Sequence, residues 1–344
     1  MPLRVAVDAM GGDHGPSVIV RGALRAAADS PALFLSLVGD TSAIEDALRC
    51  CDTGAVAERV EIIHTDSVIG MQEGAIEGLR RAPDSSVARL VELAALGRAD
   101  AIISAGHTGA FVAACQLRLG RLAGVNRPGV AVTIPAPHGV CVLCDAGANI
   151  QAKPVHLYEY AVMASVYAET QLSISRPRVA LMSIGEESVK GTGLVKEAHA
   201  LLAADASLAF VGNVEGQELF EDRCDVVICD GFVGNVVLKL AEGLADGLRR
   251  TITTELASLD AGTKSLLRAG LERVWNRHDY SRYGGAPLLG VNGACMICHG
   301  RSNGQAIANA VRAARRFDET DVNRAIEARL TRPRGESIRK EIVE

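Results

Sequence analysis

The chain has 344 residues, 48% hydrophobic and 22% charged, with a formal net charge of −5. That balance excludes disorder as the main state and points to a single α/β unit over 1–344 with a sizeable core. Aromatics make up only 3%, too few to stack single-stranded nucleic acid, and no apolar run approaches the roughly 20 residues of a membrane-spanning helix. No nucleic-acid partner is expected. The first ten residues carry Asp8 within their apolar run and lack a secretory signal layout, so a cytoplasmic protein is expected.

Short β-rich runs alternate with longer helical patterns, which predicts a mostly parallel sheet with helices on both faces. Strands are expected at 3–7, 33–38, 60–63, 101–103, 130–134, 140–143, 179–183, 208–211, 226–229 and 294–297. Helices are expected at 17–28, 41–51, 87–96, 108–119, 155–169, 194–203, 235–256 and 305–316. Two CxxC pairs, Cys141 with Cys144 and Cys295 with Cys298, fall within strand-like runs. Residues three apart on a strand point to opposite faces, so neither pair is expected to hold a metal. The nine cysteines read as free thiols of a reducing compartment.

From 238 to about 275 the pattern is helical without an intervening strand and breaks near Asp260 and Gly262. A helical hairpin over 244–277 is therefore expected to project from the body. Leu267, Leu271, Val274 and Trp275 share one helix face by their spacing, beside Arg268, Arg273 and Arg277. The charge is uneven in the same sense: residues 1–248 hold 19 basic and 30 acidic side chains, residues 249–344 hold 17 and 11. A basic amphipathic hairpin suits a second copy of the chain, weak peripheral contact with anionic lipid, or an acidic protein.

Glycine is enriched, with 35 residues, and the excess gathers where strands end. Asp8, Gly11, Gly12, Asp13 and His14 follow the first strand, and Ser104, Gly106, His107, Thr108 and Gly109 follow the fourth. Further along come Asp145 and Asn149, then Gly185 and Lys190, then Asn213 and Glu215. Asp230, Gly231, Gly234 and Asn235 follow the run at 226–229, and His299 follows the last. Ligands of open α/β sheets bind at the carboxyl ends of strands, where glycine permits close approach and helix N-termini offer N–H groups to an anion. Seven such loops point to a phosphate or phosphoryl ligand. A bulky side chain at Gly12 or Gly234 is expected to obstruct that anion and spare the fold. The P-loop motif and a GxGxxG after the first strand are both absent, which disfavours nucleotide-dependent chemistry.

Lysine is scarce, so Lys190 in its glycine-rich loop reads as a ligand contact, whereas Lys239 is as readily a plain helix-surface residue. Asp8 and Asp145 either orient a base or cation or cap the following helix.

These clusters carry a resemblance. VAVDAMGGDH at 5–14, SAGHTGA at 104–110, DAGAN at 145–149, NVE at 213–215, DGFVGN at 230–235, YGG at 283–285 and HG at 299–300 occur along nearly the whole chain. In this order they resemble the bacterial phosphate acyltransferases of phospholipid synthesis, the acyl-(acyl-carrier-protein):phosphate acyltransferases. The resemblance implies a three-layer α/β/α fold related to phosphotransacetylases and to the isopropylmalate dehydrogenase type. It implies a homodimer and an enzyme that converts acyl-carrier-protein thioesters and inorganic phosphate into acyl phosphates; no cofactor or metal is expected. A membrane glycerol-3-phosphate acyltransferase would take the product. Two departures stand out: the family usually has Asn where this chain has His107, and a Lys-rich segment reads RRAPDSS at 80–86.

For that reaction phosphate must be positioned against a thioester carbonyl, and the tetrahedral intermediate needs donors. Lys190 and loop amides fit the second task. His299 fits proton donation or phosphate contact, with Asp230 and Asn235 orienting. Three rivals stand beside this reading: an acyl-coenzyme A phosphotransacylase (phosphotransacetylase or phosphotransbutyrylase type), a decarboxylating dehydrogenase on the related fold, and a non-catalytic acyl-ligand-binding regulator.

Overall fold

Along the first strand, Leu3–Asp8 (β1), Val5 and Val7 enter one hydrophobic cluster while Ala6 enters another. The same alternation recurs across the sheet, as side chains of period two require. It appears in Leu33–Gly39 (β2), Ala101–Ser104 (β4), Gly139–Cys144 (β6), Arg178–Met182 (β7), Val226–Ile228 (β9) and Ala294–Ile297 (β11). Both faces of the sheet are therefore dry, and helices cover both. A computed structural model describes residues 2–54 and 56–332 in this arrangement. The first face packs Pro16–Ala28 (α1), Thr41–Arg49 (α2), Pro154–Leu172 (α6), Gly193–Ala204 (α7), Gly304–Glu319 (α10) and Val322–Leu330 (α11). The second carries Ala75–Arg81 (α3), Ser86–Ala95 (α4), Thr108–Arg118 (α5) and the N-terminal part of Gly231–Ala257 (α8).

With Val60–His64 (β3), Gly129–Ala136 (β5), Ala209–Val214 (β8) and Ala286–Leu289 (β10), eleven strands form one sheet in the order β3-β2-β1-β4-β11-β10-β5-β6-β9-β7-β8. The sheet is mostly parallel, and the exceptions are β10 against β11, β10 against β5 and β5 against β6. These exceptions change where the loops lie. Ile297 of β11 pairs with Ser104 on one side and with Ala286, the start of β10, on the other. Leu289 at the end of β10 pairs with Gly129 at the start of β5, and Cys144 at the end of β6 pairs with Ala131. The carboxyl ends of β1, β4 and β11 thus share one edge, and those of β6, β7, β8 and β9 share the opposite edge. The seven loops expected at corresponding places form two groups, because three consecutive antiparallel pairings reverse the second half.

All ten expected strands are present. The expected pattern lacks β10, α3 and α11; β10 carries Pro287 between Gly285 and Gly290, a composition that reads as a break rather than a strand. Helix α8 begins four residues earlier than expected because Asp230 caps it, accepting from Phe232 N at 2.9 Å and Val233 N at 3.0 Å. Cys141 and Cys144 enter different clusters, as do Cys295 and Cys298.

The stretch expected as a hairpin holds two successive helices, the distal part of α8 and Ala261–Arg277 (α9), which starts at the Asp260 cap. No residue of α9 is buried. Among the described residues no helix is long and apolar enough to cross a membrane.

Candidate active site

At the first edge the loops after β1, β4 and β11 touch through their backbones. Asp13 N donates to Gly300 O at 2.7 Å, and a Cβ on Gly11 would lie 2.7 Å from Gly106 N. Gly12 has φ 86°, a conformation that costs any residue with a Cβ. Beneath them Asp8 is buried and accepts from Ser104 Oγ at 2.8 Å, while the same hydroxyl accepts from Gly106 N at 3.1 Å. Burial pushes the Asp8 pKa up, against these donors. Asp8 and Ser104 therefore shape the loop floor, and His14 stands exposed outside it.

His107 caps α5: its Nδ1 accepts from Ala110 N at 3.1 Å and its Nε2 donates to Glu73 O at 2.9 Å. The imidazole nitrogen occupies the acceptor role that an Asn side-chain oxygen would fill, which gives the departure at this position a physical account. Thr108 and Gly109 are exposed in the first turn of that helix.

At the second edge Asp145 is fully buried. Its Oδ1 accepts from Val130 N (2.9 Å), Gly147 N (3.0 Å) and Ala148 N (2.9 Å), and its Oδ2 from Asn149 N (2.7 Å). With both oxygens spent on the backbone, Asp145 organises its loop and offers nothing to a substrate. Gly231 and Gly234 seat α8 on that loop: Gly231 N donates to Asn149 O at 3.0 Å, and a Cβ on Gly234 would collide with the Asp145 carbonyl. The close approach that glycine permits here is to protein, so the expectation that a bulky residue at Gly234 spares the fold is corrected. Asn149 reaches His156 Nδ1 (3.3 Å) and Tyr160 OH (3.2 Å). Asp230 is spent as the α8 cap, while Asn235 remains exposed beside Gly147.

Helix α8 joins the two edges. Starting at the Asp145 loop, it packs Val233 and Val237 on one cluster and Leu238 on another. The next residue, Lys239, meets His299: Nζ lies 2.9 Å from Nε2 and 2.8 Å from Glu242 Oε2. Arg301 N also points at His299 Nδ1, at 3.1 Å. A neutral imidazole accepts at one nitrogen only. Lys239 Nζ donating to Nε2 leaves the ring proton on Nδ1, where Arg301 N would meet a second donor, so the two contacts select opposite tautomers. Burial first, then Lys239, lowers the His299 pKa, while Glu242 opposes them.

The remaining candidates lie in the second half. Asn213 is buried, bonded to His199 Nδ1 (3.0 Å) and to Glu187 O (2.9 Å), so it ties the 185–190 loop to β8 and α7. A Cβ on Gly185 would meet the Lys190 side chain at 3.1 Å. Glu215 caps a short 3-10 turn. Lys190 is exposed and bonds no other candidate side chain among the described residues. The sequence left Lys239 as readily a plain helix-surface residue and singled out neither Glu242 nor its contact with that lysine.

A family described as "Fatty acid synthesis protein" matches residues 3–325. A phosphate acyltransferase of Heliobacterium modesticaldum is 46% identical over 330 residues, covering 95% of this chain and 98% of the relative. The chain belongs to the phosphate acyltransferase family. It is therefore an acyltransferase, and a second member, from Geobacter sulfurreducens, is 41% identical over 95% of this chain and 94% of its own length. In fold this acyltransferase resembles a phosphotransacetylase from Streptococcus pyogenes, with a TM-score of 0.60 at 18% identity over 94% of each chain. An EutD phosphotransacetylase from Staphylococcus aureus follows, with a TM-score of 0.58 at 14% identity over 94% of each chain.

Proposed function

We propose that the protein transfers a fatty acyl group from an acyl-carrier-protein thioester to inorganic phosphate, yielding an acyl phosphate for phospholipid synthesis. Membership in the phosphate acyltransferase family supports the acceptor. The observation that carries the site assignment is the Lys239–His299 contact beside the Gly12–Gly300 loops, with Glu242 bonded to the same lysine. In this reading hydrogen phosphate rests on loop amides, and one of its oxygens attacks the thioester carbonyl. The C–O bond forms, the C–S bond breaks, and the phosphate proton passes through His299 and Lys239 to the departing thiolate. A thiolate with a pKa near ~8.5 leaves with modest acid help, so no catalytic triad is needed. Asn235, one helical turn before Lys239 on α8, serves as a donor toward the intermediate, whereas Lys190 lies on the loop after β7 at the opposite edge.

A homodimer fits α8, which exposes Phe232, Val236, Leu240, Leu244 and Leu248 at four-residue spacing. Such a stripe is a helix-packing surface. The basic hairpin beyond it suits weak attachment to anionic lipid, where a membrane glycerol-3-phosphate acyltransferase would receive the product.

The decisive assay is phosphate-dependent loss of an acyl-carrier-protein thioester with trapping of the acyl phosphate. Lys239→Met and His299→Gln should each lower kcat at saturating phosphate by about 100-fold, the scale of positioned proton transfer. Unchanged turnover in both variants would remove the pair from the reaction.

A further inference from the structure

At the edge where β5 begins, the two helical layers part. The C-terminal half of α5, from one layer, and the start of α6 with the middle of α7, from the other, leave an open groove of about 1150 Å³. A smaller apolar hollow of about 370 Å³ between α3 and α5 continues it, and the two share Ile76 and Leu117. These two side chains are 44% and 72% exposed, respectively, so the floor is an uncovered apolar strip.

Five cations stand along it: Arg80 and Arg118 at the hollow, Arg121, Arg127 and Lys153 at the groove. All five are exposed. Among the described residues none of them forms an ion pair, although arginines elsewhere on the surface pair repeatedly with carboxylates. Arg118 and Arg121 are instead held by backbone carbonyls, Arg121 by Asn126 O at 2.6 Å. Glu197 is the one acid on the lining. Arg127 and Lys153, after burial, also drive the His156 pKa down to about 4. The groove wall reaches the second edge of the site through that histidine, since His156 meets Asn149 of the Asp145 loop.

We infer that this groove is the docking face for the acidic carrier protein that brings the acyl thioester. The inference rests on the carrier-dependent reading above and fixes where that carrier sits. Unpaired cations over an apolar strip complement an acidic helix with an apolar edge, and complementary charge mainly accelerates encounter. The hairpin cations are the alternative seat: Arg249 and Arg268 there pair with Asp246 and Glu272, while Arg250, Arg273 and Arg277 form no ion pair among the described residues. The groove is distinguished by its recessed apolar floor and its link through His156 to the Asp145 loop.

The test is steady-state kinetics of the full-length protein with two donors, an acyl-carrier-protein thioester and an acyl-pantetheine thioester. The double variant Arg80→Glu/Arg127→Glu should raise KM for the carrier donor at least about ten-fold, within the range of electrostatic steering. Its kcat, its thermal midpoint and its kinetics with the small donor should match wild type. Added salt should raise the wild-type carrier KM and leave that of the variant nearly flat. If wild type prefers the carrier and the variant keeps that KM, or loses both donors equally, the docking face is wrong while the carrier reading stands. If Arg250→Glu/Arg273→Glu raises the carrier KM instead, the face belongs to the hairpin. If wild type uses the small donor as well as the carrier, the carrier reading falls and the docking face with it.

Discussion

At His107 a single ring does two jobs, capping α5 and holding the Glu73 carbonyl. Replacement by Ala should cost about 1 kcal/mol through the lost cap, and Asn should restore most of it; urea midpoints of the three proteins decide this. Asp145 gives a sharper case. Asn in its place keeps one acceptor oxygen but turns an amide toward Asn149 N, donor against donor, so Asp145→Asn should lose about 1–3 kcal/mol. A third residue links charge to pH. His156 is buried and accepts from Lys153 N at 3.0 Å, and its folded pKa of about 4 lies below the ordinary 6.5. Between those values the unfolded chain binds the extra proton, so this contribution to stability is present above 6.5 and lost as pH falls toward 4. Glu159 works oppositely: burial raises it from 4.5 to about 6, so its penalty grows as pH rises through that window. His156→Gln should therefore lose less stability than wild type between about pH 7 and about pH 5, and an equal loss in both proteins would refute the assignment.

Among the elements, α8 decides how the site is assembled. Its glycines look, in sequence, like those of the first-edge loops, yet they do different work. Gly12 meets a carbonyl across a loop contact and adopts a positive φ, whereas Gly234 seats a helix on the Asp145 backbone. Gly234→Val should destabilise the fold by about 3 kcal/mol or more, an overpacking cost with no room to relax. Gly12→Ala should keep a cooperative unfolding transition and lose activity. The contrast also marks what was legible beforehand. Strand-forming runs and their terminal loops were readable because burial on both faces imposes long apolar runs and glycine imposes turns. The reversal of the second half was not, because β10 is four residues long and strand direction leaves no trace in hydropathy. Lys239 and His299, 60 positions apart, meet only because α8 spans from one edge to the other. Likewise Asp8, Asp145 and Asn213 were visible as polar residues at strand ends, but their bonds to the surrounding chain belong to the folded molecule.

For the whole molecule, the unresolved choice in the hairpin becomes a division of labour between its two helices. The exposed stripe of α8 begins at Phe232, close to the site, and continues to Leu248. A surface this long and apolar, on the helix that carries Lys239, suits a second copy that stiffens the proposed site. On α9 the apolar residues lie among cations: Leu266 is 84% exposed, Leu267 44% and Val274 47%, beside Arg273 and Arg277. That mixture favours a charged, amphiphilic boundary such as an anionic bilayer. Leu240→Glu with Leu244→Glu should therefore convert the proposed dimer to monomer in sedimentation and depress turnover. Leu267→Glu with Trp275→Glu should leave the dimer and its turnover in solution intact. The second pair should weaken binding to anionic vesicles by about ten-fold or more, since each apolar side chain withheld from the interface forfeits about 1.5–3 kcal/mol. If this pair instead dissociates the dimer while vesicle binding persists, α9 is the oligomer contact and the bilayer has no claim on it.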